Sequence, residues 1–185
     1  MQKYGIKFVK MKLPYVFMVA TWIPIFAFAY FVPVSANSQF YWGLERVIDE
    51  NLFGQVGMWS SRFPFVAKVV ANYICLFSPV FAVVFVCRAI KYSTFEGSNY
   101  DGYSRVCLTF ILVSWMVILV FLFYIFYVGS TDLVKSRRFF IFGEYRFLYA
   151  MYSSGIMFVF YVLALVSCVG FSFLPVVIVR RMWKK

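Results

Sequence analysis

The sequence predicts an all-α integral membrane protein, a four-helix bundle with a short interfacial amphipathic helix between its first two spans. Three observations carry that reading. The stretch Val106–Val128 holds twenty-three residues without a charge, a glycine or a proline. As a helix it would be about 35 Å long, enough for a hydrocarbon core of roughly 30 Å. Of the 185 residues, 64% are hydrophobic and 24% aromatic, more apolar surface than a soluble domain of this size can hide. The charges gather in short clusters between apolar runs, which is how a chain sets its topology in a bilayer. The expectation is one membrane domain, 1–185, with spans at about 13–34, 68–87, 106–128 and 149–177.

Lys3, Lys7, Lys10 and Lys12 precede the first apolar run, Leu13–Val34. A secretory signal cleaved at Val34-Ser35-Ala36 would share this outline, but the run is about 22 residues long against the 7–15 of a signal core. A retained first span is therefore expected. Pro24, near its middle, removes one backbone donor and should kink the helix, with Thr21 placed to satisfy a freed group.

Between Ser35 and Arg62, the longest extramembrane stretch, Phe40, Leu44, Val47, Ile48 and Leu52 recur at three- and four-residue steps. Glu45, Arg46, Asp49 and Glu50 fall between them, on the other side. Such a helix is too polar to span and should lie along the membrane surface, ended by Gly54 and Gly57. Phe63-Pro64-Phe65 then leads into the second span, where Lys68 can snorkel to the interface. Ala67, Ala71, Cys75, Ser78 and Ala82 make one small-residue stripe, which lets another helix approach closely. Asn72 and Pro79 lie in the same span, and Asn72 is expected to bond across to another helix.

Arg88–Arg105 is a polar connection with turn signals at Glu96-Gly97-Ser98-Asn99 and Asp101-Gly102. The third span follows, with Tyr124 and Tyr127 at interfacial depth. Residues 129–147 carry Asp132, Lys135, Arg137, Arg138, Glu144 and Arg146, and Phe139–Phe142 followed by Gly143-Glu144 reads as a short hairpin. The last apolar run, Leu148–Val179, would be about 48 Å as a straight helix, longer than the hydrocarbon core. Its Tyr149 and Tyr152 suit one interface and Pro175 the other, while Ala164, Cys168 and Ser172 form a second small stripe.

Four spans put both termini on one side. That side carries four, three and four Lys and Arg residues, eleven in all, against seven on the other. The positive-inside bias therefore places both termini in the cytoplasm and exports the loops 35–67 and 129–147. The net charge of +11 sets topology and favours anionic lipid, and does not point to nucleic acid. Cys75, Cys87, Cys107 and Cys168 fall inside or at the ends of apolar runs, without zinc-like spacing and without any histidine, so no metal or cofactor is expected. No ionisable residue lies in the middle of an apolar run, where ion pathways, proton relays and intramembrane active sites keep one. An enzyme is therefore not expected. The lipid bilayer and a protein bound within it are the partners that remain, with a small channel, transporter subunit or holin-like pore as the alternative.

Several short segments carry a family resemblance. Asp49-Glu50-Asn51-Leu52, Ser60-Ser61-Arg62-Phe63-Pro64, Ala67-Lys68-Val69-Val70, Tyr73-Ile74-Cys75 and Ser78-Pro79 are similar to the matching region of the colicin A-type immunity proteins. The likeness continues, more faintly, through Arg105-Val106-Cys107-Leu108 to Pro175 and the basic residues Arg180–Lys185. The resemblance implies a four-span protein of the bacterial inner membrane. It would bind the pore-forming domain of a bacteriocin, meet its hydrophobic helical hairpin in the bilayer and block the opening of its channel. In that reading the exported charges are the candidates for partner recognition: Glu45, Arg46, Asp49, Glu50 and Arg62 in the first loop, and Lys135, Arg137, Arg138, Glu144 and Arg146 in the second.

Overall fold

The computed structural model describes residues 13–91 and 105–183, with side chains for 13–91, 109–110 and 113–168. The protein is mostly helical. In chain order come α1 (Tyr15–Phe31), α2 (Gln39–Asn51), β1 (Gly57–Trp59), α3 (Pro64–Lys91), α4 (Arg105–Phe123) with a π-helical turn (Tyr124–Val128), β2 (Ser130–Asp132), α5 (Phe140–Glu144) and α6 (Arg146–Trp183). Among the described residues, two helical stretches are long and apolar enough to cross a membrane, Pro64–Lys91 and Arg146–Cys168. The connection expected at Arg88–Arg105 lies largely outside the described residues.

Helices α1, α3 and α6 form the core. Ile25 from α1, Val66, Ala67, Val70 and Phe85 from α3, and Tyr149, Ala150, Met157 and Tyr161 from α6 are all buried together. Phe85 and Tyr161 stack with ring centroids 5.0 Å apart. Helix α4 lies on the flank, packed against α6, with Phe110, Val117, Val120 and Phe121 exposed. The uncharged stretch 106–128 thus lies at the flank of the bundle and not at its centre. An outward face of this kind is unfavourable in water and costs nothing in hydrocarbon.

Local chemistry accounts for the helix ends. Pro64 opens α3 at its first position, where its missing N–H leaves nothing unpaired, and Arg88 and Lys91 complement the dipole in the last turn. The N–H of Gly54 closes α2 onto the Ile48 carbonyl at 3.1 Å, with φ of +61° that a glycine adopts without strain. Pro24 lies inside α1, and polar groups converge one turn before it. Thr21 Oγ1 donates to the Met18 carbonyl and accepts from Tyr161 Oη, while Tyr73 Oη donates to the Thr21 carbonyl. Thr21 therefore ties α1 to α3 and α6 as well as serving its own helix.

Two expectations are corrected. Asn72, 2% exposed, bonds no other helix. Its Nδ2 donates to the Gly54 and Lys68 carbonyls, and its Oδ1 accepts from the Phe53 N–H. A buried carboxamide can satisfy an irregular backbone segment as well as a helix, and here it clamps the end of the first loop onto α3. Phe139–Glu144 is no hairpin either: residues 140–144 form the helical turn α5. Gly143 is pressed under Leu133 and Val134 so closely that an added Cβ would lie 2.8 Å from the Val134 nitrogen.

The parallel pairing of β1 with β2 was not expected. Gly57, Met58 and Trp59 stand opposite Ser130, Thr131 and Asp132. Strands of three residues carry no periodicity to read, and the pairing exists because α3 and α4 bring the two loops to one end of the bundle.

Candidate partner-binding cap and lateral groove

The loops before α3 and after α4 build a single polar cap. Besides the strand pair, the Gly57 N–H donates to the Gly129 carbonyl and the Leu133 N–H to the Trp59 carbonyl, both at 2.8 Å. Ser60 Oγ, fully buried, donates to the Gly143 carbonyl at 2.6 Å, and Asp132 Oδ1 accepts from the backbone of Ser61 and Val134. The cap rests on α6 through Tyr149, whose hydroxyl reaches the carbonyls of Met58 and Ala67, and Tyr152, whose hydroxyl meets the Met58 sulfur. Backbone groups of two irregular loops are thereby paired, as buried polar groups require.

Most of the charged recognition candidates are engaged within the protein. Lys68 is 8% exposed and its ammonium lies 2.8 Å from Glu45 and 3.0 Å from Asp49. It does not snorkel to water, and those two acids turn toward α3 together with the buried Ile48 instead of facing away from the bundle. Arg46 pairs with Glu50 one turn along α2, at the exposed surface, where such a pair contributes little. Arg62 pairs with Glu144 across the two loops at 3.2 Å. Arg146 donates to the Val32 and Ala29 carbonyls, which lie at the end of α1 and have no partner further along the helix. Lys135, Arg137 and Arg138 are exposed and form no ion pair among the described residues.

The small-residue stripe of α3, Ala67, Ala71, Cys75, Ser78 and Ala82, is buried along its whole length. It faces α6 and the π-helical turn. The Cys75 carbonyl accepts from Tyr127 Oη at 2.9 Å, and Cys75 Sγ lies 3.4 Å from the Phe126 carbonyl. Widening the helix at 124–128 sets Phe126 and Tyr127 onto this stripe, and the Gly129 N–H closes the turn on the Tyr124 carbonyl at 2.8 Å. In the second stripe Ala164 and Cys168 are half-buried; the side chain of Ser172 lies outside the described residues.

Helix α4 leans on α6 and leaves a lateral groove of about 560 Å³ between α3, α4 and α6. Val83, Leu119, Val120, Phe123, Phe160 and Leu163 wall it, with Pro79, Ala82 and Ala164 as its small residues. Its polar groups are already used: Tyr127 Oη donates to α3, and Ser167 Oγ accepts from Trp115 Nε1 and donates to the Leu163 carbonyl. Its surface therefore favours an apolar occupant and offers no catalytic group. The sequence signalled its two small stripes but not the groove, which depends on how far α4 stands from α3. No family model, no curated protein and no solved structure matches the chain.

Proposed function

We propose that this chain is a four-span immunity protein of the bacterial inner membrane, with both termini cytoplasmic. It receives an apolar helix of a pore-forming toxin in the groove between α3, α4 and α6 and so holds the toxin channel closed. The groove is the observation that carries the reading: it opens sideways, it is apolar, and small residues occur where an incoming helix must come close. The charge bias of the loops supports the topology, and the segments similar to colicin A-type immunity proteins support the partner. The outward faces of the helices support lipid as the surroundings, since Val16, Ile23, Val80, Val83, Val117 and Val120 are all exposed.

The test fills the groove. Ala164→Phe adds a ring to a half-buried position outside the central core, so insertion and expression are expected to persist while protection of toxin-challenged cells is lost. Full protection by a well-inserted Ala164→Phe variant would sink the groove reading. Liposomes holding the wild-type protein should keep their ion permeability unchanged. Raised permeability would instead favour the small channel, transporter subunit or holin-like pore.

A further inference from the structure

The charges left unengaged at the cap are all positive and all in one place. Lys135, Arg137 and Arg138 project from a turn that is fixed at both ends. Leu133, fully buried, anchors it, Asp132 Oδ1 holds the Val134 N–H, and the Ser136 N–H closes on the Leu133 carbonyl. On the far side Phe139 and Phe142 pack against Tyr152. Four carboxylates of this end are ion-paired, Glu45 and Asp49 by Lys68, Glu50 by Arg46 and Glu144 by Arg62, and Asp132 is turned inward, its Oδ1 on backbone amides and its Oδ2 buried. The chain runs on from the three cations through exposed apolar side chains, Phe140 at 49% and Ile141 at 53% in α5, then Tyr145 at 63% and Phe147 at 65%, the last also packed against Phe26 of α1.

We infer that this face of the cap is a seat for anionic phospholipid, with the three basic side chains on the headgroup phosphates and the neighbouring aromatic and aliphatic side chains among the upper acyl chains. An acidic protein surface would match the charge but leave the apolar side chains facing water. The interfacial layer of a bilayer accommodates both. Because the turn is braced from beneath, the cations are presented without much ordering cost on binding. The inference rests on the membrane reading proposed above and is independent of any toxin.

The full chain is reconstituted in nanodiscs of phosphatidylcholine mixed with phosphatidylglycerol, and the lipids retained after partial delipidation are weighed by native mass spectrometry. Wild-type protein is expected to retain phosphatidylglycerol preferentially. Each basic residue near an anionic surface contributes about a fivefold preference, so Lys135→Gln with Arg137→Gln and Arg138→Gln should erase most of the enrichment. Arg46→Gln, which removes a paired cation on α2, should leave it intact. Equal enrichment in the triple variant, or none in the wild type, overturns the inference. If the triple variant does not insert, Arg137→Gln alone is read the same way, with about a fivefold loss expected. Inorganic phosphate competing away the retained lipid at unchanged ionic strength would reduce the seat to a plain anion site. Tighter binding of polyglutamate than of phosphatidylglycerol would reassign it to an acidic protein. Both results count against the lipid seat. Failure of the wild type to enter nanodiscs would instead sink the membrane reading.

Discussion

Lys68 shows how a single buried charge organises the cap. Its ammonium is almost out of contact with solvent, whereas Glu45 and Asp49 remain 36% and 48% exposed, so the two sides of the cluster respond differently to mutation. Replacing Glu45 and Asp49 together by Gln and Asn strands a buried cation and should cost about 2–4 kcal/mol. Lys68→Met removes the buried charge and lets both carboxylates hydrate, and should cost less than about 1 kcal/mol. Unfolding in detergent would rank the variants; the opposite order would mean that Lys68 acts through its packing rather than its charge. Reversing those acids to Lys would thus report on folding before it reported on any partner. Gly143 is a second such residue. Its missing Cβ is required by the Val134 backbone, so Gly143→Ala should cost roughly 1–3 kcal/mol through overpacking, seen as faster amide exchange at Val134 and in β2.

At the scale of elements, the stripe on α3 belongs to the protein's own packing. Ala71 is 7% exposed and borders a void of only about 20 Å³ shared with Ile74, Cys75, Phe126, Tyr149 and Ser153. That space cannot take a leucine side chain. Ala71→Leu should therefore push α6 and the π-helical turn from α3 and destabilise the fold by about 1–3 kcal/mol, measurable as a lower unfolding midpoint in detergent. An unchanged midpoint would mean the stripe faces lipid. Helix α2 is amphipathic, as its spacing indicated, but Tyr41, Leu44 and Ile48 face the bundle while Phe40 and Trp42 stay exposed. Two carboxylates could join the inward face because α3 supplies Lys68 opposite them, and no helical periodicity contains that information.

For the whole molecule, the directions of the helices follow from the strand pair. Because β1 and β2 are hydrogen-bonded, α1 and the helix ending at Val128 both run toward the cap, while α3 and α6 both leave it. Reporter fusions after residues 57, 97, 137 and 185 should read outside, inside, outside, inside. Positions 57 and 137 on opposite sides of a membrane would contradict both the strand pairing and the charge bias. The core of α1, α3 and α6 with α4 at the flank also explains why the run 106–128, free of charge, glycine and proline, is no guide to the centre. In lipid, an apolar sequence is what the outside of a bundle needs, and burial between helices is won by small residues and polar ties such as Thr21 with Tyr161.

The sequence alone determined the helical character of the long apolar runs, the amphipathic character of α2 and the small stripe of α3. Each of these is a local or periodic property of consecutive side chains, and backbone hydrogen bonding within a helix needs nothing from elsewhere. Only the tertiary structure decided the parallel β1–β2 pair, the clamp of Asn72 on Phe53 and Gly54, the α5 turn under Leu133, and the groove beside α4. It likewise decided that Glu45, Asp49, Arg62, Glu144 and Arg146 find partners within the molecule while Lys135, Arg137 and Arg138 form no ion pair among the described residues. These depend on which groups meet across about ten to more than a hundred positions of chain, and a charge shows its type in the sequence but not its partner. A carboxylate becomes structural when a buried ammonium lies within about 3 Å of it, and that distance is set by the packing of whole helices.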